Sequence, residues 1–412
     1  MKKELLEMRL EKLNGILDNE SMILLYAASD DHITFLQNKN FFYFTGLDIP
    51  EAVLILSKRE GKITRKLFIE RTIPERIVWD GAKMNKETAR EISGIEKIYY
   101  LDELERELEN ELFDLEKVYI EIESPTTAKP LTKPLYWAEQ LRLRHPNVVI
   151  ESLRMISARM RMVKDKWEIE QMSRAIEVTG YGLDKILRET QAGMYEYELE
   201  AMLNYELLKN GLRNWGFKPI IAGGKNAVTL HYCRNNEQIA EESLVLIDVG
   251  ALCNNYSADI TRTFPAAASF TARQKEIYTE VLQTQECVIK MIEPGITLKD
   301  LNVKTAELLT ESLLKLDIIK KREDYRKYYM HSVSHFLGMD AHDVSLHYAK
   351  SILEPGNVIT VEPGLYIEEE GIGIRIEDDI LVTESGYENL SESIPKQVEE
   401  LEEIRKKAGE RK

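Results

Sequence analysis

Leu244-Val245-Leu246-Ile247-Asp248-Val249-Gly250 is an apolar run closing on an acid, and a carboxylate buried unpaired at the end of such a run is costly. Eleven residues further on comes Asp259, within Tyr256-Ser257-Ala258-Asp259-Ile260-Thr261-Arg262-Thr263-Phe264. A turn centred near Cys253 and Asn254 makes the two runs paired antiparallel strands and sets the two acids roughly opposite each other. Directly opposed side chains have Cβ atoms about 5 Å apart. Two like charges that close repel unless a cation lies between them, and a metal ion meets that need.

Further along, the pattern recurs. Val358-Ile359-Thr360-Val361-Glu362-Pro363-Gly364 again ends an apolar strand on an acid followed by a turn. Ile372-Gly373-Ile374-Arg375-Ile376-Glu377-Asp378-Asp379 puts Arg375 and Glu377 on one strand face and Asp378 on the other; Asp379 shares the first face without an assigned task. Between these acidic segments lies Met330-His331-Ser332-Val333-Ser334-His335-Phe336-Leu337-Gly338-Met339-Asp340-Ala341-His342-Asp343, and five of the 7 histidines fall between 231 and 347. Taken singly, an acid at a strand end is a turn or cap residue and a histidine a hydrogen-bonded structural one. Together, several unpaired acids at strand ends share no structural purpose. Carboxylates with one imidazole suit two divalent metal ions, Mn²⁺ foremost, with Co²⁺ or Zn²⁺ acceptable. Two ions about 3.5–4 Å apart can bridge a hydroxide and polarise a carbonyl.

The rest of the chain supplies the setting. Its 412 residues exceed what one hydrophobic core serves, so two domains are expected, 1–155 and 156–412. Residues 1–155 read as mixed α/β scaffold, with strand-length apolar runs at Met22–Ala27, Ala52–Leu56, Lys66–Ile69 and Val118–Ile122 and a helix over Leu101–Phe113. The remainder reads as helices over Trp167–Glu189, to about Lys209 (stopped by Asn210-Gly211), Thr271–Ile292 and Thr297–Lys315, interleaved with the acid-bearing strands. A charged tail helix, Val398–Lys412, is expected to be solvated surface. Lys+Arg 55 against Asp+Glu 71 gives −16, which argues against nucleic acid as a partner. There is neither an apolar run of membrane-spanning length nor an apolar core for a signal peptide near Met1, so no membrane partner and a cytoplasmic location are expected. The 3 cysteines, Cys233, Cys253 and Cys287, imply no disulfide framework and are expected to be buried thiols.

These motifs resemble the metallopeptidase family with the pita-bread fold, shared by methionine aminopeptidase, prolidase, aminopeptidase P and creatinase. The resemblance is carried by Asp259-Ile260-Thr261-Arg262-Thr263-Phe264, Val361-Glu362-Pro363-Gly364-Leu365-Tyr366 and Gly371-Ile372-Gly373-Ile374-Arg375-Ile376-Glu377-Asp378-Asp379. It implies an α/β (α+β) fold with a creatinase-like N-terminal domain and a C-terminal pita-bread catalytic domain. It also implies the metal ligands Asp248, Asp259, His335, Glu362 and Glu377, with Asp259 and Glu377 touching both ions. Within the family, Leu230-His231-Tyr232 followed by Asn235-Asn236-Glu237 is similar to aminopeptidase P, as are Phe42-Tyr43-Phe44-Thr45-Gly46 and Pro50-Glu51-Ala52-Val53-Leu54.

That branch implies hydrolysis of the N-terminal Xaa-Pro bond by a metal-bridging hydroxide, with peptides carrying proline at the second position as partners. Glu362 would shuttle the proton, while His231 and His342 would hydrogen-bond the carbonyl oxygen and tetrahedral intermediate. His331 would contact the proline side, and Arg375 would pair with Asp248. Trp79 lies where the family often has a tryptophan reaching a neighbouring subunit's site, which implies a homodimer or homotetramer. Prolidase, cutting only dipeptides, is the alternative; a non-catalytic peptide-binding module is a remote one, because such relatives lose ligands that are all present here. Ser332 and Phe336 depart from the glycine and tryptophan usual in the family. His347 matches no motif and is expected at the surface.

Overall fold

A computed structural model describes residues 3–30, 35–122, 132–346 and 351–409; His347 lies outside the described residues. Two compact units make up the chain, Met1–Arg161 and Met162–Lys412.

In the first unit, β1 (Ser21–Tyr26) is buried along its whole length. That suits an inner strand covered on both faces. It pairs antiparallel with β2 (Val53–Arg59) and parallel with β5 (Lys117–Ile120). With β3 (Lys62–Ile69), β4 (Lys97–Tyr100) and β6 (Val149–Ser152) these form one sheet of order β4-β3-β2-β1-β5-β6. Leu104, Leu108 and Leu112, four apart on the helix Leu104–Leu112, join Met22, Leu24 and Tyr26 in one core cluster. The first turn of that predicted helix, Leu101–Glu103, is a 3₁₀ turn. Lys66, buried in the sheet, is met from the same helix by Glu107 at 2.7 Å and Glu111 at 2.9 Å.

In the second unit, the helix Lys166–Glu189 starts from a capping box between Asp165 and Glu168 and packs on the helix Glu196–Lys209. The helices Ala272–Ile289 and Leu298–Lys315 form a second pair. The strands are β7 (Asn214–Trp215), β8 (Ile220–Gly223), β9 (Leu244–Val249), β10 (Ala251–Cys253), β11 (Tyr256–Ser257), β12 (Ile260–Pro265), β13 (Val358–Val361), β14 (Gly364–Ile367), β15 (Ile372–Arg375), β16 (Asp378–Thr383) and β17 (Gly386–Asn389). They group as β12-β9-β8, β13-β16-β17, β11-β10-β7 and the hairpin β14-β15.

Two sequence expectations need correction. The turn after β10 is centred on Asn254 and Asn255, with φ of 46° and 65°, the backbone that Asn tolerates in a type I′ turn. The register therefore pairs Asp248 with Thr261. Asp259 sits two residues along on the same face instead of directly opposite. Gly250 fits this crossing because a Cβ there would lie 1.7 Å from the Ala258 carbonyl oxygen. The tail helix, Val398–Gly409, is not simply solvated: Val398, Leu401 and Arg405 are buried. Arg405 donates to the carbonyls of Leu187 and Thr190 at 2.8 Å and of Pro265 at 3.1 Å, satisfying acceptors left over at the end of the helix Lys166–Glu189.

Arg262 is one of the buried links between the β9–β12 pair and the 375–379 segment. Its guanidinium is 3% exposed and donates to Asp378 Oδ1 at 2.7 Å and to the carbonyls of Thr261, Glu377 and Ile394. Lys396 and Gln285 also donate to Asp378. Removing one member of a buried ion pair costs about 3–5 kcal/mol. We therefore expect Arg262→Met to lose stability of about that size in urea unfolding, and a cost below about 1 kcal/mol, within the range of exposed pairs, would refute the staple.

Candidate metal centre

Four of the acids identified above reach one cavity because a strand end carries each of them there. Asp248 is the last residue but one of β9, Asp259 precedes β12, Glu362 follows β13 and Glu377 follows β15. Carboxylate and imidazole atoms of Asp259, His335 and Glu377 all lie within 4.8 Å of one another. His335 Nε2 is 3.5 Å from Asp259 Oδ2 and 3.5 Å from Glu362 Oε1. Those distances are too long for good hydrogen bonds.

The tautomer of His335 follows from its other nitrogen. Nδ1 lies 3.2 Å from the Phe336 carbonyl oxygen, which can only accept, so Nδ1 carries the proton. Burial pushes the imidazole down to about 3, leaving it neutral. Its Nε2 lone pair therefore faces carboxylate oxygens, an arrangement that asks for a cation.

The carboxylates make the same demand. Arg375 Nη2 donates to Asp248 Oδ2 at 2.6 Å, while Asp248 Oδ1 is buried without a hydrogen-bond partner. Thr261 Oγ1 donates to Glu377 Oε2 at 2.6 Å and accepts from Arg375 Nε at 3.1 Å. Burial, then the charge of Asp248, raises Asp259 well above the carboxylate range; burial, then Asp259, does the same to Glu377. Glu362 is pushed up to about 8, chiefly by burial. Asp379 is also raised by burial; its Oδ2 accepts the Asp259 N–H at 3.1 Å, and its Oδ1 is orphaned. Acceptor-only groups crowded around orphaned oxygens and an aimed imidazole lone pair fit divalent cations.

A cavity of about 700 Å³ opens over this cluster, and its wall includes all nine predicted site residues: His231, Asp248, Asp259, His331, His335, His342, Glu362, Arg375 and Glu377. The His342 ring lies 4.3 Å from that of His335. His331 Nε2 is 2.9 Å from Tyr366 Oη, which accepts from Arg375 Nη1 at 3.0 Å.

Sequence reasoning quoted Thr261 and Tyr366 without giving either a task. Period-two alternation from Asp259 would have put Thr261 on the site face. Phe217 and Lys218 of the wall were missed, and no motif marks them. Cys233 also lines the cavity; it and Cys287 are half-buried, so of the three thiols only Cys253 is buried as expected. Asp378 points away from the cavity, towards Arg262 and Lys396.

The profile of Metallopeptidase family M24 matches residues 170–384. The chain belongs to this family. Residues 8–119 match the aminopeptidase P N-terminal domain. Xaa-Pro aminopeptidase from Escherichia coli is 34% identical over 93% of each chain. A candidate aminopeptidase P from Bacillus anthracis has a solved structure 41% identical to this chain, with a TM-score of 0.95 over 99% of both. Aminopeptidase P from E. coli, solved with the inhibitor Pro-Leu, is 31% identical with a TM-score of 0.90 over 100% of this chain and 99% of that one. The fold is thus the M24 pita-bread domain with an aminopeptidase P N-terminal domain, and the M24 centre is one for divalent metal.

The raised acids give the metal-free protein a defined pH response. Glu362 binds a proton up to about 8 when folded, against 4.5 as its ordinary value. Between those values the folded state holds more protons, so stability falls as pH rises. Depressed His331 and His335 oppose this only below their ordinary value of 6.5. With chelator, the melting temperature should drop between about pH 6.5 and 8.5, and a divalent cation should flatten the drop. A flat profile in chelator would count against the buried acid cluster.

Proposed function

We propose that the protein is a metal-dependent Xaa-Pro aminopeptidase that releases the first residue of peptides carrying proline second, using the cavity around Asp259, His335 and Glu377. The observation that supports this most is the approach of their ligand atoms to within 4.8 Å beneath a cavity roomy enough for a peptide end. Asp248, Asp259, His335, Glu362 and Glu377 would hold two divalent ions. Mn²⁺ suits such an oxygen-rich set, and Co²⁺ or Zn²⁺ would be accepted. When bound, the ions would supply Lewis acidity and a water activated as hydroxide.

The chain's own groups then have separate tasks. Glu362, on the cavity wall, takes up a proton from the attacking water and returns it to the leaving proline nitrogen. His342, kept neutral by burial, donates with His231 to the scissile carbonyl oxygen as charge develops there. His331, steadied by Tyr366, faces the proline ring. Arg375 fixes the Asp248 carboxylate through its 2.6 Å hydrogen bond. None of these groups needs the N–H that an Xaa-Pro bond lacks.

The test is hydrolysis of Ala-Pro-Ala and Ala-Pro by chelated protein before and after Mn²⁺ is added. Metal-dependent release of alanine from the tripeptide is expected. Cleavage of the dipeptide alone would indicate prolidase, and cleavage of neither with metal bound would indicate a peptide-binding module. Glu377→Ala should lower both metal content and kcat/KM, the latter by more than about a hundredfold, because even outer-sphere changes reach that size; full retention of either would defeat the ligand assignment.

We further infer a cytoplasmic homodimer or homotetramer. No helix of the described residues is long and apolar enough to cross a membrane. Val78 and Trp79 are 87% and 81% exposed, an apolar pair that a second copy would cover. Light scattering should give a multiple of the 47.7 kDa chain mass and a shift towards monomer in Trp79→Ala; a monomeric wild type would end this inference.

A further inference from the structure

The cavity wall is dominated by acids: Asp248, Asp259, Asp343, Glu362 and Glu377. Only two lining residues are full cations, Lys218 and Arg375. Arg375 is engaged by Asp248. Asp343 is met by the buried Lys164 at 3.4 Å. Lys218 is exposed, and only its backbone carbonyl, facing Cys233 Sγ at 4.0 Å, has a contact among the described residues. Lys218 is nonetheless one of the residues that line the cavity. Burial raises the Cys233 thiol, and the charge of Lys218 opposes that rise.

The position along the chain is fixed as well. Ile220 lies opposite Asp248 in the β8–β9 ladder, and Lys218 is two residues before it, roughly 7 Å along the strand direction. Pro219 restricts the Lys218 backbone to extended conformations. Asn235 holds the segment by donating to the Pro219 carbonyl at 3.0 Å and accepting from Ile221 N–H at 3.1 Å. Measured from the scissile carbonyl, a proline and one further residue also span roughly 7 Å.

We propose that Lys218 is a specificity residue that binds the C-terminal carboxylate of tripeptides and so favours short free-acid substrates. This rests on the aminopeptidase reading given above. A peptide then lies with its amino end at the metal-binding cluster and its carboxylate at the cationic rim, matched at both ends. Longer or amidated peptides lose the second match and keep the first.

The experiment uses the Mn²⁺-loaded full-length protein and compares kcat/KM for Ala-Pro-Ala with that for Ala-Pro-Ala-amide. Wild type should favour the acid by roughly fivefold at low salt, the size of a solvent-screened ion pair. The ratio should fall towards one in Lys218→Met and in about 1 M salt, and return in Lys218→Arg. A wild-type ratio of one, or proportional losses on both peptides in Lys218→Met, overturns the assignment of Lys218. If wild type cleaves neither peptide, the aminopeptidase reading itself falls, and this inference with it.

Discussion

Burying several carboxylates within a few ångströms of one another is the constraint that organises the second unit. Asp248, Asp259, Glu362, Glu377 and Asp379 converge there, and burial raises Asp259, Glu362, Glu377 and Asp379. No fold gathers such a group through favourable packing, because each acid costs desolvation and each pair repels. The surrounding structure must therefore hold the acids against that repulsion. Arg375 offsets one charge, and Thr261 bridges Arg375 to Glu377.

Holding is done from the opposite face of the same strand segment. Glu377 turns to the cavity while Asp378, its neighbour, turns to Arg262, Lys396 and Gln285. Those partners keep Asp378 ionised, well below the usual carboxylate range despite burial. One residue apart, two acids thus have opposite fates: one is raised by burial and then by like charges, and the other is lowered by cations. The strand's alternation makes this possible, since a single segment presents one acid to the site and anchors itself by the next.

Much of this could be read in the sequence because it lives in period-two patterns. Acids closing apolar runs at 248 and 362, and Arg375 with Glu377 on one face, point to a shared site without any tertiary information. The turn was legible but misread. Two asparagines, which both tolerate the positive φ of a type I′ turn, locally favour a centre at Asn254-Asn255 over one at Cys253-Asn254, and one step moves Asp259 from opposite Asp248 to a diagonal position. The tail helix was misread for a different reason. Its charges dominate the pattern, and only the partners of Arg405, supplied by chain more than a hundred residues away, show why an arginine belongs inside. Lys218 carries no motif, and its place on the cavity wall depends on β8 pairing with β9.

The orientation of His335 bears on how many ions the cluster is built for. With Nδ1 donating to the Phe336 carbonyl, Nε2 offers a lone pair where Asp259 and Glu362 already present oxygens. A protonated imidazole would relieve the repulsion at less cost, yet burial holds His335 neutral, down to about 3. The arrangement therefore relies on an external cation and not on the histidine's own charge. Asp248, Asp259, Glu362 and Glu377 together hold up to four negative charges, of which Arg375 offsets one. A single divalent ion would leave the group anionic and poorly suited to polarising a carbonyl. With Asp379 counted, a second would bring the group to neutrality, leaving the ions free to stabilise oxygen as negative charge develops on it.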